Sequence, residues 1–164
     1  MGTVTDAPKV LIVDDDPAMT RLLSKWLEKA GYEVKCVYDG REATFAIEEE
    51  CPNVLITDWE MPDMDGLELC RWLRNQQLPH YVYTLFVTAR TCTEDMVKGL
   101  IAGADDFLKK PIDKGELIAR VQAGRRVIDL ERRLSQVAKY DSLTGLTTQG
   151  TFFDELQREW SRAR

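Results

Sequence analysis

Histidine is nearly absent from this 164-residue sequence, with His80 the single instance. It reads as an exposed loop residue rather than a phosphate-relaying side chain. The four cysteines, Cys36, Cys51, Cys70 and Cys92, show no C-x-x-C spacing. They read as reduced, mostly structural thiols of a cytoplasmic protein. No run approaches the roughly 20 apolar residues that a membrane helix needs. The opening M-G-T-V-T-D-A-P-K also lacks the apolar stretch of a secretory signal. A membrane partner is therefore not expected. A basic face is lacking too. Residues 1–112 carry 20 acidic and 12 basic side chains, a balance of −8, and residues 113–164 carry 8 and 10, a balance of +2. That distribution argues against nucleic acid as a partner. Proline stops at Pro111, and no tandem repeat or low-complexity segment is present.

What remains is an ordinary soluble balance, 44% hydrophobic and 30% charged, enough for a sizeable core without disulfides. Short β-branched-rich runs at 9–13, 33–38, 54–58, 83–89 and 106–109 read as strands. Between them lie helix starts. Asp16 before Pro17 is a good N-cap followed by a good first helical residue. Asp39-x-x-Glu42, Asp65-x-x-Glu68, Thr91-x-x-Glu94 and Asp113-x-x-Glu116 all have capping-box spacing. In the first helix Met19, Leu22, Leu23, Trp26, Leu27 and Ala30 fall on one face, and Gly31 stops it. Five strand–helix units predict an α/β fold: a doubly wound parallel sheet with helices on both faces.

In such a sheet, ligands bind at the carboxyl ends of the strands. The run V-L-I-T-D-W-E-M-P-D-M-D-G ends its strand in Asp58, and the first strand ends in Asp14, Asp15 and Asp16. Asp16 is read as the helix cap. Asp14, Asp15 and Asp58 would sit close enough to repel, which raises carboxyl pKa values unless a cation is bound. An all-oxygen set with two or three carboxylates suits Mg²⁺, which is often shared with a phosphate. Thr88 ends the fourth strand with a hydroxyl donor, and Lys110 follows the fifth with a compact positive charge. Acceptor carboxylate, metal carboxylates, hydroxyl and ammonium are the groups that phosphoryl transfer to Asp58 requires.

These residues carry a resemblance. V-L-I-V-D-D-D-P, L-I-T-D-W-E-M-P-D-M-D-G, F-V-T-A and D-D-F-L-K-K-P occur in order. The segment from Lys9 to about Arg126 resembles the receiver domain of bacterial two-component response regulators. The resemblance implies a flavodoxin-like (βα)5 sheet of strand order 2-1-3-4-5. It implies that Asp58 is phosphorylated by a histidine kinase or phosphotransfer protein. It also implies that Asp15 and Asp58 bind Mg²⁺ directly, Asp14 through water, and Glu60 through its backbone carbonyl. Thr88 and Lys110 then engage the phosphoryl group, Phe107 occupies an aromatic switch position, and Lys110–Pro111 is cis. Glu60 and Arg90 lie two residues after the acceptor and after Thr88. They are read as a pair across the site mouth that slows phosphate loss, against two independent solvated side chains. The alternative function is a pseudo-receiver, an interaction module that needs no phosphorylation.

Beyond the receiver, Val127, Leu130, Leu134 and Val137 repeat at steps of three and four among Arg125, Arg126, Glu131, Arg132 and Arg133. That suits a coiled-coil seam. A helix packed on its own domain or left solvated is the competing reading. Dimerisation is expected through this helix or through the fourth strand–helix face around residues 96–101. Asp141–Gln149, D-S-L-T-G-L-T-T-Q, is similar to the D-x-L-T-G-L-x-N-R opening of diguanylate cyclase (GGDEF) domains, with Thr148 and Gln149 departing from it. No G-G-[DE]-E-F follows, so this chain is not expected to make cyclic di-GMP or to be an enzyme beyond its own phosphorylation chemistry. The expected organisation is a disordered start over residues 1–8 and a receiver over 9–126. A helical linker follows over 127–140, then the start or remnant of a cyclase domain over 141–164.

Overall fold

The computed structural model describes residues 7–90 and 92–139. It contains five strands and five helices in strict alternation. They are β1 (Lys9–Val13), α1 (Pro17–Lys29), β2 (Glu33–Val37), α2 (Gly40–Glu49), β3 (Val54–Asp58), α3 (Gly66–Arg74), β4 (Tyr83–Thr88), α4 (Thr93–Ala102), β5 (Asp106–Lys109) and α5 (Lys114–Lys139). The sheet is parallel, in the order β2-β1-β3-β4-β5. Strand order and element count agree with the sequence expectation. Strands β2 and β4 end one residue earlier than expected.

Alternation along each strand divides the core between the two faces of the sheet. Val10, Ile12, Val54, Ile56, Leu85 and Val87 point to one face, where Leu23 and Leu27 of α1 and Leu117, Val121 and Ile128 of α5 cover them. Leu11, Val13 and Leu55 point to the other, under Ala43, Ala46 and Ile47 of α2 and Leu69 and Leu73 of α3. Strands buried on both faces read as continuous apolar runs, which is why these were visible in the sequence. The α1 face needs a correction: Leu22 and Ala30 are exposed, while Thr20 is buried beside Leu23 and Leu27. A helix meeting a flat sheet buries a narrower stripe than its apolar residues span.

The helix starts differ in how they are capped. Asp65 and Glu68 form the complete reciprocal box at α3. At α2 Asp39 accepts from Glu42 N–H, but the Glu42 carboxylate reaches back to Tyr38 N–H instead of Asp39. Asp16 caps α1 through Ala18 N–H, and Asp113 accepts from Glu116 N–H at α5. The α4 expectation is corrected. Its N-cap is Cys92, with no side-chain cap hydrogen bond, and Thr91 lies outside the described residues. Residues 1–6 and 140–164 are also outside them, so the expected disordered start and the cyclase-like segment have no structural account. Pro8 is held by its carbonyl, which accepts from Glu33 N–H.

Burial raises the Cys70 thiol to about 11 and, with the charges of Asp106 and Asp105 adding to it, the Tyr83 phenol to about 12. The neutral forms are favoured in the folded state. Their stabilisation is therefore complete below about pH 9 and is lost as pH rises through 9 to 12, where the unfolded chain releases protons first. Urea unfolding at pH 8 and pH 11.5 is expected to differ by on the order of 1–2 kcal/mol per group. Cys70→Ala should flatten the lower part of that decline, and an unchanged profile would contradict its assignment.

Candidate functional site

Register brings the site together. Val13 pairs with Thr57, so the residues that follow, Asp14 and Asp58, leave neighbouring strands side by side. Asp58 itself pairs with Val87, and Thr88 pairs with Lys109. The ladder runs one step past β5, where Lys110 N–H donates to the Thr88 carbonyl at 2.9 Å. Lys110–Pro111 is cis, as expected.

Asp14, Asp15 and Asp58 offer carboxylate oxygens that all lie within 4.8 Å of one another. Asp14 is 2% exposed, Asp58 is partly buried, and Asp15 is exposed. Lys110 Nζ donates to Asp58 Oδ2 at 2.7 Å and reaches Asp14 Oδ2 at 3.3 Å. Burial raises the Asp14 carboxyl above its ordinary range, with the Asp58 charge adding to it. The Asp16 N–H and Lys110 pull the other way without cancelling that rise. Burial works against the charge of Lys110, but hydrogen bonding and charge from Asp58 and Asp14 more than offset it, so its pKa is raised. The ammonium is therefore firmly protonated where the carboxylates meet. A dense, oxygen-only donor set with one cation for three carboxylates fits a divalent ion of the Mg²⁺ type.

Asp58 is fixed at both oxygens, since Oδ1 accepts the Trp59 N–H at 2.6 Å. Sequence reasoning missed that restraint, because a backbone donor leaves no trace in residue type. Trp59 is itself buried, with its ring 5.2 Å from that of Phe86. Phe107 also stacks on Phe86, at 5.8 Å, and lies against Gly99 of α4. The expected switch residue thus sits under α4, in an aromatic cluster that includes Trp59. Thr88 is buried, and its Oγ1 accepts the Arg90 N–H at 2.9 Å, leaving its own proton available to donate. Arg90 does pair with Glu60, through Nε at 2.8 Å and through Nη2. It also reaches Asp95 of α4 at 3.4 Å. The Asp95 contact was not foreseen; an acid in the first turn of α4, five residues after Arg90, was its only signal. Asp16 stays out of the cluster as the α1 cap, and half-buried His80 lies near Cys51 and the Tyr81 carbonyl, away from these residues.

Comparison with known proteins agrees with this geometry. The sequence model of the response regulator receiver domain matches residues 10–122. The chain belongs to that family. Receiver domains work in two-component systems, exchange phosphoryl groups with histidine kinases or phosphotransfer proteins, and bind Mg²⁺ at an acidic pocket of the kind seen here. The chain is 41% identical over 137 residues to the transcriptional regulatory protein TrcR of Mycobacterium tuberculosis, covering 83% of this chain and 52% of that one. It is 40% identical over 116 residues to the phosphate regulon transcriptional regulatory protein PhoB of Rhizobium meliloti, covering 71% and 51%. The chain therefore spans about half the length of the curated relatives it matches. Among solved structures, the chemotaxis response regulator CheY4 of Vibrio cholerae superposes with a TM-score of 0.69 at 34% identity, covering 72% of this chain and 98% of that one. No helix among the described residues is long and apolar enough to cross a membrane.

Proposed function

We propose that Asp58 is the phosphoryl acceptor of this receiver and that the site is a Mg²⁺-dependent switch. One observation carries this reading: three carboxylates lie within 4.8 Å of one another with Lys110 Nζ 2.7 Å from Asp58. A carboxylate oxygen of Asp58 forms a bond to phosphorus, and the bond from phosphorus to the donor's imidazole nitrogen breaks, with the electron pair leaving on that nitrogen. Asp14, Asp15 and Asp58, with the Glu60 carbonyl, are the residues to hold Mg²⁺, which when bound neutralises charge on the phosphoryl oxygens. Lys110 pairs with an added phosphoryl oxygen and Thr88 donates its hydroxyl proton to another. Thr88 ends β4 beside Asp58 and Phe107 lies in the aromatic cluster against Gly99 of α4, so a phosphoryl group favours the state in which the two are drawn inward. Homodimerisation, through the α4 face or α5, then aligns output domains. The residues D-S-L-T-G-L-T-T-Q favour a diguanylate cyclase output over the transcriptional outputs named for TrcR and PhoB.

Incubation with acetyl phosphate and Mg²⁺, followed by intact-mass measurement, is expected to give one phosphoryl adduct on the wild type and none on Asp58→Ala. An adduct that survives the substitution, or none on the wild type, would overturn the reading in favour of a phosphorylation-independent module. In this reading the Glu60–Arg90 pair flanks the path that attacking water takes in receiver domains. Replacing both with Ala is expected to shorten the lifetime of the aspartyl phosphate by up to about fivefold, the scale of one exposed charge pair. Loss of the adduct can be timed by mass or by ³²P release, and an unchanged lifetime would count against the pair.

A further inference from the structure

Helix α4 buries an acid. Its buried residues are Asp95, Gly99 and Ala102, spaced as one inward stripe at i, i+4 and i+7. Gly99 and Ala102 suit such a stripe, since Gly99 lies against Phe107 and Trp59, and Ala102 packs in the same aromatic cluster. Asp95 does not suit it. A carboxylate in a residue only 9% exposed needs partners. Two cations supply them: Arg90 Nη1 lies 3.4 Å from Asp95 Oδ2, and Lys98 Nζ lies 3.3 Å from Asp95 Oδ1. Hydrogen bonding from Cys92 above all, and from Lys98 and Arg90, holds the carboxyl below its ordinary range against the opposing effect of burial. Asp95 is therefore charged at neutral pH.

The Arg90 guanidinium is thereby held on two sides. Nε and Nη2 face Glu60 Oε1, and Nη1 faces Asp95. The two acids are not equivalent. The Glu60 side chain is 68% exposed and that of Arg90 45%, and an ion pair so open to water is weakly formed. Asp95 is buried and stands on a helix. A fork already fixed at Nη1 gives up less freedom when Nε and Nη2 close on Glu60. The backbone of Arg90 is fixed as well, since its N–H donates to Thr88 Oγ1 at 2.9 Å.

We propose that Asp95 is a positioning residue of the site mouth, anchoring Arg90 to α4 so that the guanidinium stands against Glu60. This rests on the reading of Glu60 and Arg90 as the pair that slows phosphate loss. Asp95 and Gly99 share the inward face of α4, so a helix shift that repacks Phe107 also slackens Arg90. Switch state and phosphate lifetime are then linked through one helix.

The test follows the Arg90 Nε–H by proton–nitrogen NMR in the full, unphosphorylated chain, with the resonance assigned by its loss in R90A. Its exchange with water is expected to quicken about threefold in D95N and to stay unchanged in K98A, which keeps the contact between Asp95 and Arg90. The aspartyl phosphate lifetime, timed by intact mass after acetyl phosphate is removed, should shorten about twofold to threefold in D95N. It should shorten no further when D95N is added to R90A, because the two residues act through one contact. Asn keeps the shape of Asp, and urea unfolding checks that the fold is kept. An acid that merely favours the start of α4 would shorten the lifetime equally in both backgrounds, and that result would overturn the proposal. So would an Arg90 Nε–H that exchanges at the wild-type rate in D95N. A wild type that takes no phosphoryl group would strike the Asp58 reading instead, and the NMR comparison would still decide what holds Arg90.

Discussion

Arg74→Leu is expected to cost about 3 kcal/mol of folding stability, because it strips a guanidinium from the junction of four elements. Arg74 sits at the end of α3. Its Nε and Nη2 donate to the Gly103 carbonyl at 2.9 and 2.8 Å, Nη1 donates to the Val82 carbonyl at 2.9 Å, and Nη2 reaches Asp105 Oδ2 at 2.9 Å. Its Cζ lies 4.6 Å from the Tyr81 ring centroid. The end of α3, the end of α4 and the starts of β4 and β5 thus meet on one planar cation. Leucine keeps most of the volume but leaves two carbonyls without a donor and Asp105 without its counter-charge. Asp105 keeps the Thr84 N–H at 2.7 Å and the Tyr81 hydroxyl, which holds the loss below that of an isolated buried charge. Lysine cannot substitute, since a single ammonium cannot face three acceptors in the plane of a fork. Urea denaturation measures the cost, and a loss under about 1 kcal/mol would show that the network is dispensable. This junction lies at the amino ends of the strands, away from Asp58. Variants that still fold should accept phosphate at near wild-type rates.

Gly66→Ala should damage stability and chemistry together. A Cβ on Gly66 would stand 2.2 Å from the Asp58 carbonyl oxygen and 2.7 Å from Phe86 Cε1. The first contact is with backbone, so no side-chain rotation relieves it. Either β3 loses its last residue from the ladder or α3 moves outward, breaking the hydrogen bond from Gly66 N–H to the Trp59 carbonyl at 3.0 Å. Overpacking against an immovable neighbour costs about 3 kcal/mol or more. A displacement of about 1 Å at Asp58 also separates its carboxylate from Lys110, which should slow phosphoryl acceptance by about 100-fold. Denaturant unfolding reads the first effect and the rate of adduct formation from acetyl phosphate the second. A variant with wild-type midpoint and rate would refute the close approach.

The legibility of the fold follows from its burial. Strands covered on both faces are apolar nearly throughout, so Val54–Asp58 stood out as a run ending in acid and Lys9–Val13 as one followed by acid. Helix starts were legible where a side chain does the capping, as at Asp65, and misplaced at α4, whose N-cap Cys92 contributes no side-chain cap bond. The apolar spacing of α1 placed the helix correctly but overstated its buried face at Leu22 and Ala30, since periodicity states which residues share a side and not how close the sheet comes.

The sequence by itself determined the parallel alternation, the identities of Asp14, Asp15, Asp58, Thr88 and Lys110, and their placement at strand ends, because residue type and strand termini are local properties. Tertiary structure alone decided what those groups meet. The Trp59 N–H on Asp58, the pairing of Arg90 with Glu60, the aromatic stack against Gly99 and the Arg74 junction all join residues distant in the chain or use backbone atoms that every residue shares. The apolar repeat of α5 was visible in the sequence. Burial of Ile128 beside exposed Val127 showed which side of the helix the receiver core keeps, because only packing decides which of two apolar faces a domain buries.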